Sequence, residues 1–176
     1  MVKEVSRRIE IPEGIEVDAA NDYVTIKGPR GVLNRRFNYP GVHIIWDNSE
    51  LVVTARIDRK LQRATVGTFA AHLTNMIKGV TEGFEYRMKV VYSHFPIQLK
   101  AAQNELVIAN FLGERRSRSA RILDGVTLEL SKDEVLVKGI NKESVGQTMA
   151  NIEQATKVRG FDIRVFQDGI YLVEKN

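Results

Sequence analysis

One strand–turn–helix phrase is written twice in this chain, and nothing else in the sequence limits its fold as tightly. In the later copy, Glu134-Val-Leu-Val-Lys-Gly139 is a β-branched run that stops at a glycine. Asn141 can cap the next element, because its side chain accepts a hydrogen bond from an otherwise unpaired N–H of the first helical turn. Val145, Thr148, Met149 and Ile152 then recur at three- and four-residue steps, which places them on one helix face. In the earlier copy, Glu50-Leu-Val-Val-Thr-Ala55 matches the strand. Thr65-Val66-Gly67 followed by Ala71 matches Ser144-Val145-Gly146 followed by Ala150. A phrase repeated at this length implies a duplicated structural module.

The match extends upstream. Ile15–Asp22 lines up with Ile97–Asn104, Val24 and Ile26 with Leu106 and Ile108, and Gly31 with Gly113, at a constant separation of 82. Gly41-Val42 and Glu50 match Gly125-Val126 and Glu134 at 84, so the second copy has gained two residues within an arginine-rich segment. The helix cores match at 79, so the first copy has five more residues in its strand-to-helix turn. The register changes only where loops are expected.

Short alternating runs separated by turn residues predict strands over Arg7–Ile11, Ile15–Ala19, Tyr23–Lys27, Val32–Phe37, Val42–Trp46 and Leu51–Ala55. Pro12-Glu-Gly14, Asn21-Asp22, Gly28-Pro-Arg-Gly31, Pro40-Gly41 and Asp47-Asn48-Ser49 supply the turns. The period then changes. Leu61, Thr65, Phe69, Leu73 and Met76/Ile77 predict a helix from Asp58 to Lys78, with Gly79 as the residue just past its end. A strand over Gly83–Tyr92 opens the second copy. The fold class expected is α+β: two duplicated small domains, residues 1–81 and 82–176, each a mostly antiparallel β-sheet with one covering α-helix.

The catalytic inventory is thin. There is no cysteine among the 176 residues, which excludes disulfides, thiolate metal sites and cysteine nucleophiles, and suits a reducing cytosol. His43, His72 and His94 are scattered, with no metal-ligand spacing. No nucleophile elbow, phosphate-binding loop or dinucleotide fingerprint occurs. Gly28-Pro-Arg-Gly31 sits between strands and lacks the helix N-terminus that would hold a phosphate. The expectation is therefore no enzyme, no cofactor, no metal and no small-molecule substrate. The first residues carry charges where a signal peptide needs an apolar stretch. No window is apolar for long enough to span a membrane.

The basic constellations are more informative. A net charge of +4 suits a polyanionic partner, although a solvated basic surface gives the same total. Arg115-Arg-Ser-Arg-Ser-Ala-Arg121 places four arginines and two hydroxyls in seven residues. Guanidinium forks match phosphate oxygens and serine hydroxyls donate to them, so the segment suits a nucleic-acid backbone; a solvated hairpin is the plainer alternative. A second cluster, Lys157, Arg159 and Arg164, is interleaved with Phe161, Phe166 and Tyr171. The aromatics could stack on unpaired bases. The preferred reading has Phe166 and Tyr171 anchoring the tail on the core with the cations facing outward. Lys27, Arg30, Arg35 and Arg36 are the weaker equivalent in the first copy.

The C-terminal segment Gln154–Lys175, together with Asn75-Met-Ile-Lys-Gly-Val-Thr-Glu-Gly-Phe84, Tyr92-Ser-His-Phe-Pro96, Asn110-Phe-Leu-Gly-Glu114 and Val137-Lys-Gly-Ile-Asn-Lys-Glu-Ser-Val-Gly-Gln147, resembles ribosomal protein six of the large subunit (the L-six family). The likeness covers essentially the whole chain and is to the archaeal and eukaryotic type. Where bacterial members carry a glycine- and lysine-rich segment, this chain has Arg164-Val-Phe-Gln-Asp-Gly-Ile-Tyr171, and the basic insertions of eukaryotic members are absent, so the archaeal form fits best. The resemblance implies a non-catalytic constituent of the cytoplasmic large ribosomal subunit. It would bind 23S-type ribosomal RNA near the base of the GTPase-recruiting stalk and the sarcin–ricin loop, beside neighbouring large-subunit proteins. It points, mainly in the second domain, to Arg115, Arg116, Arg118, Arg121, Lys157, Arg159, Arg164 and Tyr171, and also to Lys138 and Lys142 flanking the strand-to-helix turn. The competing readings are a protein-binding module whose open sheet edges recruit a partner strand and an enzyme of unrecognised type.

Overall fold

The computed structural model of the chain describes residues 4–20, 22–46, 49–56 and 60–176. The expected turn residues Asn21, Asp47 and Asn48 and the expected helix start at Asp58 lie outside the described residues. The chain divides into two compact units, Met1–Gly83 and Phe84–Asn176.

The first unit contains β1 (Val5–Glu10), β2 (Glu16–Ala20), β3 (Tyr23–Gly28), β4 (Gly31–Arg36), β5 (Val42–Trp46), β6 (Glu50–Ala55) and α1 (Lys60–Thr81). The strands form two antiparallel sheets, ordered β1-β6-β5 and β2-β3-β4. The sequence predicts one small sheet per repeat, and the fold instead has two. The breaks that separate them are legible: Pro12 to Gly14 and Pro40-Gly41 carry the chain out of one sheet and into the other, with Gly14 and Gly41 at φ +82° and +77°. Helix α1 packs on both sheets and closes a core of Val24, Ile26, Leu51, Val53, Val66, Leu73 and Val80. Each such side chain, fully withdrawn from water, contributes roughly 1.5–3 kcal/mol.

Two details of α1 differ from expectation. Gly79 lies buried inside the helix, which runs on to Thr81. Val80, fully buried one residue later, extends the apolar face far enough to outweigh the cost of about 1 kcal/mol for an interior glycine. The helix stops at Gly83, whose φ of +79° lets its N–H and that of Glu82 both donate to the Lys78 carbonyl, at 3.1 and 2.9 Å. The buried stripe is Val66, Ala70, Leu73, Met76, Ile77 and Val80, and Leu61 is 66% exposed.

The second unit repeats this plan with β7 (Phe84–Val91), β8 (Gln98–Ala101), β9 (Glu105–Ala109), a 3₁₀ turn (Phe111–Gly113), β10 (Arg118–Arg121), β11 (Val126–Leu130), β12 (Glu134–Gly139) and α2 (Lys142–Ala155). It then adds β13 (Gly169–Lys175), giving sheets β10-β9-β8 and β11-β12-β7-β13. As expected, the Asn141 side chain accepts from the Glu143 N–H at 2.9 Å, and Val145, Thr148 and Ile152 are buried. Gly41 and Gly125 share the same left-handed backbone (φ +77° and +76°), and Glu50 and Glu134 each open the strand that follows. The chain is therefore a duplicated α+β fold.

Strand pairing refines the alignment. Val24 faces Arg35 in the first unit and Leu106 faces Ala120 in the second. Since Val24 matches Leu106 at 82, Arg35 matches Ala120 at 85. The same shift holds where Phe37 N–H donates to the Asp22 carbonyl and Ile122 N–H to that of Asn104. Three residues enter between Gly113 and Arg118, and one is lost before Gly125. As a result Arg118, opposite Ile108, occupies the place that Leu33, opposite Ile26, fills in the first unit.

Candidate nucleic-acid interface

In the first unit the position of Arg118 belongs to a leucine, and its surroundings show why an arginine fits in the second. The last carbonyls of a helix have no partner within it, and a cation is favourable there. Arg118 Nη1 donates to the carbonyls of Ala155 and Lys157, both at 2.9 Å, where α2 ends. Its Nε and Nη2 fork onto the Glu114 carboxylate at 2.9 and 2.5 Å. The guanidinium carbon lies 4.3 Å from the centre of the Phe111 ring. The bond from Arg118 holds the Glu114 carboxyl below its ordinary 4.5, against the opposing effect of burial. Arg118 is thus engaged on every side and ties the arginine-rich segment to the helix end.

Its neighbours differ. Arg115 and Arg116 are exposed in the bend before β10, and Arg121 is exposed at the end of the strand. None has a side-chain hydrogen bond or ion pair among the described residues. From Arg118 the chain runs back along α2: Asn151 Nδ2 donates to the Arg121 carbonyl at 2.9 Å, and Leu123 N–H donates to Thr148 Oγ1 at 3.1 Å.

Beyond α2 the tail is pinned from inside. Ile170 N–H donates to the buried Thr156 hydroxyl at 3.1 Å, and Leu172 N–H to Glu153 Oε1 at 3.1 Å. Ile170 is 1% exposed and Asp168 2%. These groups hold the tail in place. Tyr171, expected as an anchor, is 46% exposed, and its hydroxyl donates to the Gln167 carbonyl at 3.1 Å. It alternates with Ile170 along β13, and only one of two successive strand residues can face the core. Phe161 and Phe166 pack on each other, centroids 4.9 Å apart. Lys157, Arg159 and Arg164 are exposed, with no side-chain partner among the described residues.

Lys138 and Lys142 stand apart from this cluster. Lys138 Nζ lies 2.8 Å from Glu129 and 3.3 Å from Glu85, and these partners, Glu129 foremost, raise its pKa above 10.5. Lys142 begins α2, roughly 20 Å along the axis from the Arg118 tie at about 1.5 Å per residue; its Nζ lies 5.7 Å from the centre of the Phe84 ring. The open face of the four-stranded sheet carries charges of both signs. Arg87 is paired with Glu174, and Lys89 stands opposite Glu134. The two units each carry a net +2, with twelve bases against ten acids and fourteen against twelve. Total charge does not distinguish them. In the second unit Arg115, Arg116, Arg121, Lys157, Arg159 and Arg164 lie on β10, the bend before it and the segment that follows α2, whereas Lys89, Lys100 and Lys132, also without a side-chain bond or ion pair among the described residues, are spread singly over β7, β8 and the β11–β12 turn. Side chains without a signal in the sequence also line this surface: Gln147, Asn151 and Gln154 follow one another along α2, a spacing that looks in sequence like an ordinary solvated face.

No group of three or more His, Asp or Glu side chains suited to a metal occurs among the described residues, and no described helix is long and apolar enough to cross a membrane.

Comparison with known proteins gives this geometry a family. The family model for ribosomal protein L6 matches residues 11–83 and again residues 95–169, once on each repeat. The chain belongs to the ribosomal protein L6 family. It is similar to the large ribosomal subunit protein uL6 of Methanothrix thermoacetophila, 57% identical over 175 residues and 99% of both chains. It is also similar to that of Methanosarcina mazei, 55% identical over 175 residues and 99% of both. A third relative, from Methanobrevibacter smithii, is 52% identical over 171 residues, 97% of this chain and 96% of the other. The archaeal type expected from the tail is the type these relatives represent. Members of this family are structural components of the ribosome, and this chain is not an enzyme.

Proposed function

We propose that this chain is a structural constituent of the cytoplasmic large ribosomal subunit. It binds 23S-type ribosomal RNA through the end of the second unit formed by β10, the α2 terminus and the tail. The observation that carries this reading is the gathering of Arg115, Arg116, Arg121, Lys157, Arg159 and Arg164, exposed and without internal partners, while Arg118, Lys138 and Arg87 are bonded within the protein. Phosphate contacts from such side chains release counterions and set the orientation of a rigid module on RNA. Arg118 supports the surface from behind. Tyr171 borders it, and Lys138 and Lys142 lie outside it.

The two repeats, residues 1–81 and 82–176, are the working domains in this proposal, and the second carries most of the RNA contact. On this reading the site lies near the base of the GTPase-recruiting stalk and the sarcin–ricin loop, beside other large-subunit proteins, as the family resemblance implies. Sucrose-gradient sedimentation of a cell extract tests the assignment. The chain is expected to travel with the large subunit; recovery only in the soluble fractions would overturn it.

A further inference from the structure

Between β10 and α2 the second unit has an open groove of about 610 Å³. Its floor is small, with Ala120 and Ala155, and its walls carry the neutral amides Gln147, Asn151 and Gln154 beside Arg121. No carboxylate and no aromatic ring lines it. Two of the amides are held in place, because Gln147 Nε2 donates to Asn151 Oδ1 at 2.9 Å and Asn151 donates onward to the Arg121 carbonyl.

The duplication supplies an internal comparison. Ala120 corresponds to Arg35 by strand register, and Asn151 to His72 at the helix separation of 79. In the first unit Arg35 reaches from β4 to α1, where its Nη2 lies 3.2 Å from His72 Nε2. One copy fills this place with an arginine–histidine contact, and the other leaves it open above an alanine.

We infer that the β10–α2 groove receives the minor-groove edge of double-helical RNA, with Gln147, Asn151 and Gln154 bonding ribose 2′-hydroxyls while Arg121 meets a flanking phosphate. The inference rests on the RNA-binding reading above and names the class of RNA. An A-form minor groove is wide and shallow and displays 2′-hydroxyls, which both donate and accept, as amides do. A single strand would call for a stacking platform. The groove has none, and Phe161 and Phe166 in the tail are packed on each other.

The test measures binding of the full chain to three probes by fluorescence anisotropy: a fully paired RNA duplex of two turns, the DNA duplex of the same sequence, and one RNA strand alone. The RNA duplex is expected to bind about tenfold more tightly than either alternative, the effect of one or two net hydrogen bonds. Two variants follow. Ala120→Arg with Asn151→His carries the first copy's filled arrangement into the second. Gln147→Ala with Gln154→Ala removes two exposed amides and leaves the core untouched. Each is expected to lower RNA-duplex affinity to the DNA level, the glutamine pair without change in salt slope. Should the first variant fail to fold, the second decides alone. Equal binding of RNA and DNA duplexes, single-strand binding as tight as duplex binding, or a preserved preference in the glutamine variant would overturn the inference. If such a chain still binds large-subunit ribosomal RNA, only the groove assignment falls; if it binds none, the RNA-binding reading falls with it.

Discussion

Arg118→Ala separates an arginine that builds the surface from arginines that form it. The substitution deletes two bonds to the unsatisfied carbonyls of Ala155 and Lys157, the fork onto Glu114, and the contact over Phe111. A net bond from a charged donor contributes on the order of 1.5 kcal/mol. The pair with the half-exposed Glu114 adds about 0.5–1, and the ring contact a similar amount. Because these act on one group and are not additive, about 3 kcal/mol is a fair total. Trp46, the sole tryptophan, lies in the first unit, so its fluorescence in urea reports that unit while far-ultraviolet circular dichroism reports both. The second unit's midpoint is expected to fall by about 2 M urea at an m-value of about 1.5 kcal/mol/M, with the tryptophan transition unmoved. Arg118→Lys restores the charge without the planar fork and should recover less than half. An Arg118→Ala protein with unchanged midpoints and weakened RNA binding would refute the reasoning and return Arg118 to the contact surface.

Other consequences follow from the same geometry. The Glu114 carboxyl is depressed in the folded state, so its contribution is fully present above the unfolded value near 4.5 and is lost as pH falls through the lower folded value. The second unit's urea midpoint should drop between about pH 5 and pH 3 more in the native chain than in Glu114→Gln; parallel curves would contradict this. Lys138→Met should leave RNA affinity and salt slope unchanged in filter binding, because Glu129 and Glu85 already neutralise that charge; a slope reduced by about one would place Lys138 on the RNA. Residues 83–176 expressed alone should fold by circular dichroism and keep most of the affinity for large-subunit ribosomal RNA. A folded fragment that does not bind would move the contact to the first unit.

What was legible in the sequence was whatever local chemistry decides. Gly41 and Gly125 occupy left-handed positions that most residues resist, so they mark the same turn in both copies. Asn141 advertises its cap by residue type and place. The sequence pattern ends α1 at Lys78, whereas Val80, buried against the strands, holds the helix past a glycine, and that burial is a tertiary fact. The arginine-rich segment looks uniform as text, yet three inserted residues turn Arg118 inward and leave Arg115, Arg116 and Arg121 outside. Only the pairing of β9 with β10 reveals that register. The amides of α2 carry no signal in the sequence, because glutamine and asparagine at helical spacing match any solvated face. Their setting emerges only when Ala120 is seen beneath them and Arg35 in the equivalent place of the first copy.

The salt dependence of binding to large-subunit ribosomal RNA tests the proposed interface most directly, comparing the full chain with Arg115→Ala/Arg116→Ala/Arg121→Ala and with a first-unit control, Arg7→Ala/Arg8→Ala/Arg36→Ala. Each lost phosphate contact lowers the slope of log affinity against log salt by about one. The second-unit variant should therefore lose about three from its slope and bind weakly at all salts, while the control stays close to the native line. A native slope in the second-unit variant, or a larger loss in the control, would contradict the assignment of the interface to β10, the end of α2 and the tail.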